Sequence, residues 1–188
     1  MRLHHVVGMC LLALTPACTS GPPGAENLPP VQEPLCAPGV SLGKVVIAPL
    51  TRWRSDQKEP EVREAIAMRA IKAVAPAIAC ASASRVLEIA PDAGPGGAIA
   101  SAKADGATTL LLVRIEELGP IAILSFPALW STWSDVKFTL DAVAVQTGES
   151  LRSIPHHRQK GGAFEARGLE PLQGEMEAAL KDVILGVR

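Results

Sequence analysis

Three strand-like runs, separated by two stretches with helical spacing, constrain the fold most strongly. Residues 44–50 form a β-branched run, 60–80 place apolar residues on one helical stripe, and 85–90 predict a second strand. A short helix over 98–104 precedes a third strand at 107–117. The uninterrupted apolar run at the centre of this strand indicates that the strand is buried on both faces of the sheet. Strands that alternate with helices are joined by right-handed crossovers, so this order predicts a parallel α/β core.

The pattern changes in the last third of the chain. Residues 135–145 alternate between apolar and polar, 146–149 predict a hairpin turn, and 150–154 predict the returning strand. Pro155 lacks a backbone donor, which places that strand at a sheet edge. An apolar stripe over 169–184 predicts a closing helix. We therefore expect an α/β fold of two or three layers: a βαβαβ parallel core, an antiparallel β-hairpin and a C-terminal helix.

The first 24 residues resemble a bacterial lipoprotein export signal. A short basic start precedes the apolar run 6–14, which is too short to cross a bilayer but suits a signal peptide. Ala17 stands directly before Cys18, as in the lipobox, where the cysteine is acylated and becomes the first residue. Thr19 after it favours the periplasmic face of the outer membrane. The alternative is an ordinary secretory signal that is cut near Ala17 and leaves Cys18 a thiol.

Removal of a signal peptide at 1–17 leaves 171 residues, enough for one domain with a core. Residues 18–42 contain six prolines and predict a flexible tether that holds the domain off the membrane, and 43–188 predict a single α/β domain. The mature chain has 17 Lys and Arg against 19 Asp and Glu, with no basic cluster. Nucleic acid is therefore not an expected partner.

Cys36 and Cys80 remain as an even pair in an oxidising compartment, where disulfides persist. The helix after the first strand must run back antiparallel to it, which brings Cys80 close to the start of that strand, where the chain from Cys36 also arrives. A disulfide is expected on this ground. Two unpaired thiols are the alternative.

The order of the segments 44–50, 105–112 and 143–149 resembles that of small α/β lipoproteins related to the curli-secretion lipoprotein and to the amino-terminal domain of the Tol-system periplasmic protein. The resemblance covers about residues 44–187. It implies a periplasmic adaptor or envelope-assembly role without catalysis.

No residue pattern predicts an enzyme, a cofactor or a metal site. The glycine-rich stretch 94–97 lacks the third glycine of a dinucleotide fingerprint and is interpreted as a tight turn. His156 and His157 are adjacent on a strand and so point to opposite faces. The mature chain has no Gly-x-Ser-x-Gly elbow, and Glu116 and Glu117 likewise alternate across a strand.

One uncharged stretch, 119–134, stands out, because Phe126, Trp130 and Trp133 lie in it and Phe138 follows shortly after. One interpretation is a long connection that folds its rings over the core, and Trp53 is a further ring that could join it. The other is an exposed apolar loop that contacts a partner or the membrane interface, as the amphipathic indole favours. The residues predicted to bind a partner are Phe126, Leu129, Trp130 and Trp133.

The leading hypothesis is a non-enzymatic outer-membrane lipoprotein, anchored through acyl chains such as palmitate on Cys18, that binds an envelope protein through the 119–134 loop. The alternative hypothesis is an accessory lipoprotein of an envelope transporter, in which the same loop lines a pocket for a small apolar or lipid ligand.

Overall fold

The computed structural model describes residues 26–27, 32–90, 93–123 and 131–187. They form a mixed sheet with helices on both of its faces. The strands are β1 (Glu26–Asn27), β2 (Gly43–Thr51), β3 (Ala81–Val86), β4 (Thr109–Ile123), β5 (Ser131–Ala144) and β6 (Ser150–Ala163). The helices are α1 (Pro60–Val74), followed by a 3-10 turn at Ala75–Ala77, α2 (Gly94–Ala104) and α3 (Leu172–Leu185).

The six strands are ordered β1-β6-β5-β4-β2-β3 in the sheet. β2 lies between β3 and β4 and is parallel to both, whereas β4, β5, β6 and β1 are antiparallel to their neighbours along the rest of the sheet. The sheet thus has a parallel half and an antiparallel half that share β4. This arrangement confirms the predicted parallel core, hairpin and closing helix.

Two apolar clusters occupy opposite faces of the sheet. The larger joins α1 and α3 to β2, β4 and β5, and its fully buried side chains include Ile71, Leu111, Phe138 and Leu180. The smaller joins α2, through its alanines, to the other face of β2 and β4. The parallel half therefore has three layers, and the antiparallel half has two.

The limits of α1 follow from its prolines. Pro60 occupies the first turn, where its missing donor costs nothing, and Pro76 lies in the 3-10 turn that ends the helix.

On the buried side of α1, Arg63 contacts two backbone carbonyls. It donates from Nη1 to the carbonyl of Leu118 and from Nε to that of Lys58, 2.8 Å away. A Cβ at Gly119 would overlap the Arg63 guanidinium, so this close approach requires glycine.

Two elements of the parallel half differ from the prediction. β3 spans Ala81–Val86 rather than 85–90, because it is an edge strand paired with β2 alone and needs no apolar run. α2 begins at Gly94, so the predicted tight turn at 94–97 is the first turn of a helix, where proline is well tolerated. No described helix is long and apolar enough to span a membrane.

The prediction of a loop over 119–134 was wrong at both of its ends. Residues 119–123 continue β4, and 131–134 begin β5, with the ladder running from Gly119 opposite Asp135 to Ile123 opposite Ser131. Pro120 is tolerated because β2 pairs with β4 only as far as Ile115. At Pro120 the edge of β4 on the β2 side therefore needs no backbone donor. β6 also continues well beyond Pro155, to Ala163.

The segment assigned to a flexible tether is partly built into the domain. Leu35 and Leu42 are buried in the larger cluster, and the Leu35 amide donates to the carbonyl of Val183 at 2.9 Å. Cys36 and Cys80 form a disulfide with Cα atoms 5.3 Å apart. Apolar side chains between the prolines explain this packing, so the described part of the tether, 32–42, is a strap on the domain.

Candidate functional site

One face of the antiparallel half is polar, and no described helix covers it. Val136, Phe138 and Leu140 of β5 point into the larger cluster, so the alternate residues of β5 point to the other side of the sheet. α2 packs on β2 and β4 and leaves this region open within the described chain. We call this surface the open face and define it by Arg114, Trp133, Asp135, Lys137, Thr139, Asp141 and His157.

Asp141 organises the part of the open face near the end of β5. Its carboxylate accepts two bonds from Arg114, with Nε 2.6 Å from Oδ2 and Nη2 3.1 Å from Oδ1. The Ser153 hydroxyl of β6 donates to the same carboxylate at 2.6 Å. These contacts link β4, β5 and β6 and compensate the burial of a carboxylate that is 9% exposed.

Asp135 has the same role closer to the start of β5. It is 5% exposed and lies 2.9 Å from Nε2 of His157, while the Gln159 amide donates to its other oxygen at 2.9 Å. Between these two networks Lys137 is paired with Glu116 at 2.7 Å. The hydrogen bond to Glu116 raises the pKa of Lys137 above its ordinary value. The open face therefore presents fixed, paired charges.

Trp133 is the aromatic residue of this face. It lies opposite Ile121 on β4 and Gly161 on β6, and its side chain is half-buried. It is not among the residues that pack on either cluster in the described chain. At Gly161, φ is +147°, and a Cβ would lie 2.2 Å from the carbonyl oxygen of Thr132, so glycine is required beside the tryptophan.

The other predicted aromatic residues are separated from Trp133. Phe138 is buried in the larger cluster and stacks on His156, with ring centroids 5.1 Å apart. Trp53 packs against the same cluster and donates from Nε1 to Glu64 at 3.0 Å. Phe126, Leu129 and Trp130 lie outside the described residues, as does Cys18.

The two histidines point as predicted to opposite sides of β6. His156 is buried against Phe138, and His157 lies on the open face, so they do not converge. Among the described residues, no three His, Cys, Asp or Glu side chains gather as a set of metal ligands.

A cavity of about 370 Å³ adjoins the open face near the start of α2. Its polar lining contains Arg52, Arg114 and Glu116, and Pro95 closes it on the helix side. Arg114 is held by Asp141, and Glu116 by Lys137. The cavity thus continues the paired charges of the open face.

The open face was only partly predictable. The alternation of 135–145 places Lys137, Thr139 and Asp141 on one side. No pattern along the chain indicates that α2 covers only the parallel half, and the partners Arg114, Ser153 and Gln159 belong to other strands.

Several solved structures of bacterial proteins have a similar fold. The chain is similar to the protomer of a PelC dodecamer from Paraburkholderia phytofirmans, with a TM-score of 0.51 and 14% identity over 85% of this chain and 94% of that one. At this identity the likeness concerns the fold.

Two further matches are weaker, and one of them bears the name lipoprotein. Lipoprotein GNA1162 from Neisseria meningitidis has a TM-score of 0.42 and 17% identity over 74% of this chain and 95% of that one. The LpoB C-terminal domain from Escherichia coli has a TM-score of 0.39 and 16% identity over 64% of this chain and 86% of that domain. No protein-family model and no curated protein matches the sequence. The predicted relation to the curli-secretion and Tol-system proteins stays a prediction.

Proposed function

We propose that this protein is a non-enzymatic adaptor lipoprotein of the bacterial envelope. Acyl chains on Cys18 hold it at the periplasmic face of the outer membrane, and the open face binds an envelope protein. The observation that carries the proposal is the position of Trp133, a large aromatic side chain that the core does not use, on a sheet face that no described helix covers.

The composition of the open face suits a protein contact. A tryptophan on the same sheet face as a group of charged side chains resembles the anchor and rim of protein interfaces, where aromatic residues carry much of the binding energy. The charges are already paired and rigidly placed by Asp135 and Asp141, so a partner would meet a preformed surface. Phe126, Leu129 and Trp130, which sequence analysis assigns to the same contact, remain part of the prediction.

The likeness to a PelC protomer supports this proposal in one respect. That protein forms a dodecamer, so a chain of this fold can act through protein–protein contacts. The adaptor role for the present chain rests on its own surface.

Affinity purification from envelope extracts tests the partner contact. Trp133→Ala should reduce recovery of the bound envelope protein by at least about tenfold, since a buried aromatic anchor is worth about 2 kcal/mol or more. Leu151→Ala is the matched control, because Leu151 is 55% exposed at the other end of β6. Equal recovery with Trp133→Ala and wild-type protein would contradict the proposal.

Cell fractionation of Cys18→Ser tests the anchor. The variant should appear in the soluble periplasm or stay unprocessed. Normal processing together with continued membrane association would show that Cys18 is not the anchor.

A further inference from the structure

The short strand β1 gives the position and direction of the chain at Glu26. β1 is antiparallel to β6, with Glu26 opposite Lys160 and Asn27 opposite Gln159. At Glu26 the N-terminal direction of β1 is therefore the direction in which β6 runs toward Ala163. At that end of the sheet Ala163 lies opposite Ser131, and Ser131 lies opposite Ile123. We call this end, formed by Ile121, Ala122, Thr132, Ala163 and Phe164, the strand tip.

The length of the remaining chain limits the distance between the lipid and the strand tip. Glu26 is eight positions after Cys18, and a fully extended chain of eight steps spans at most about 28 Å. From Lys160 to Ala163, β6 itself covers about 10 Å of that distance. The chain is therefore long enough for Cys18 to reach a point up to about 18 Å beyond the strand tip and no further. The turn at 146–149, at the other end of the sheet, is about 34 Å from the level of Glu26 and out of reach.

The strand tip is uncharged and exposes one large apolar side chain. Phe164 is 62% exposed, the largest exposed fraction of any large apolar side chain in the described chain. Its backbone has φ of +63°, which bulky residues rarely adopt. The tip itself carries no charged residue.

Phe164 is also held in place. Thr132 donates from its hydroxyl to the carbonyl of Glu165, and the Arg167 amide donates back to the same hydroxyl at 3.0 Å. The carboxylate of Glu165 is paired with Arg167 at 2.9 Å, and Arg167 also contacts Glu175 of α3 at 3.3 Å. The nearest charges beyond the tip are thus engaged with each other, and the exposed ring projects from a braced segment.

We propose that the strand tip faces the lipid surface and that the Phe164 ring enters the lipid–water interface. The inference rests on the proposed lipid attachment at Cys18. In this orientation the strands of the sheet point toward the membrane, which the strand tip contacts. The open face is then roughly perpendicular to the membrane surface and accessible to a partner beside the domain. In this arrangement the acyl chains on Cys18 and the ring of Phe164 both bind the bilayer, so the domain lies close to it. This differs from the predicted tether, which would hold the domain off the membrane.

Fluorescence of the processed protein, purified from cells that export it and mixed with phosphatidylcholine vesicles, tests the orientation. Phe164→Trp adds an indole at the strand tip, and Gln146→Trp adds one at the opposite end of the sheet as the matched control. Vesicles whose acyl chains carry bromine should quench the added fluorescence of Phe164→Trp by about twofold, since interfacial side chains lie about 5–10 Å into the headgroup boundary. Each signal is the difference from the unsubstituted protein, and the Gln146→Trp signal should not change.

The same samples separate the two ways in which the inference can fail. If the protein floats with the vesicles but the Phe164→Trp signal is not quenched, the anchor stands and the orientation is wrong. If the protein does not float, the lipid attachment on which both proposals rest is wrong. A photo-crosslinking phenylalanine analogue at position 164 in cells should yield lipid adducts, and a protein adduct alone would assign the strand tip to a protein partner.

Discussion

The parallel and antiparallel halves of the sheet share β4 but are built on different chemistry. In the parallel half, β2 and β4 are covered on both faces, and their central side chains are apolar and fully buried. In the antiparallel half, one face packs on α3, while the other carries ion pairs and Trp133. The difference indicates that the parallel half contributes most of the buried core. The proposed partner contact uses the antiparallel half, whose polar face is not needed for that core.

Loss of the disulfide should produce the largest effect on stability. Cys36 and Cys80 are 44 residues apart, and closing a loop of that size stabilises by about 4 kcal/mol in the chain-entropy model. The double variant Cys36→Ser, Cys80→Ser should lose about that much unfolding free energy in urea denaturation of the Cys18→Ser chain. Reductant should lower the stability of the parent but leave the double variant unchanged. A parent that is insensitive to reductant would contradict this account.

A pair of truncations compares the two halves directly. Leu111→Ala removes a fully buried side chain between α1, α3 and the sheet and should cost about 3 kcal/mol. Thr139→Ala, on the open face, should change the unfolding free energy by no more than about 0.5 kcal/mol. Denaturant titrations of both variants in the Cys18→Ser chain measure the two losses of unfolding free energy. Similar losses for the two variants would remove the distinction between the halves.

Asp141 is the residue of the open face on which stability should depend most. Asp141→Ala leaves Arg114 and Ser153 without their acceptor, and the expected loss is about 1 kcal/mol, because Arg114 is partly exposed to solvent. Asp141→Asn keeps one acceptor oxygen and should lose less. Equal unfolding free energies for wild-type and Asp141→Ala protein would show that the network does not hold the three strands together.

The smallest effect is expected at the exposed pair of Lys137 and Glu116. Because the hydrogen bond to Glu116 raises the pKa of Lys137, the pair stabilises the folded state below the ordinary lysine value, and this contribution is lost as the pH rises through the raised pKa. Glu116→Gln should bring the pKa of Lys137 back toward its ordinary value and cost about 0.3 kcal/mol at neutral pH. An NMR titration of the Lys137 side chain measures the shift, and an unchanged pKa would refute the pairing.

The parts of the fold that sequence analysis predicted well are those that local periodicity determines. The apolar stripe of α3 and the alternation around Phe138 indicate both the element and its buried side. β3 was misplaced because its small and polar residues carry little signal, and its position depends on pairing with β2. The extension of β4, β5 and β6 also depends on cross-strand pairing between distant residues.

The candidate site shows the same limit. Trp133 could be selected from the sequence because aromatic residues are rare in this chain and concentrated around it. Its position on the same face as Asp135 and His157, which no described helix covers, requires knowledge of which strands α2 covers. The docking of residues 32–42 likewise depends on distant partners such as Val183.

The central claim is that an envelope protein binds the open face and not the helical layer. Site-specific photo-crosslinking in living cells tests it most directly, with the crosslinker at Thr139 in the middle of the open face and at Ala178 on α3. We predict one discrete protein adduct from position 139, lost in the Trp133→Ala background, and none from position 178. An adduct from position 178 alone, or one from position 139 that persists without Trp133, would contradict the account.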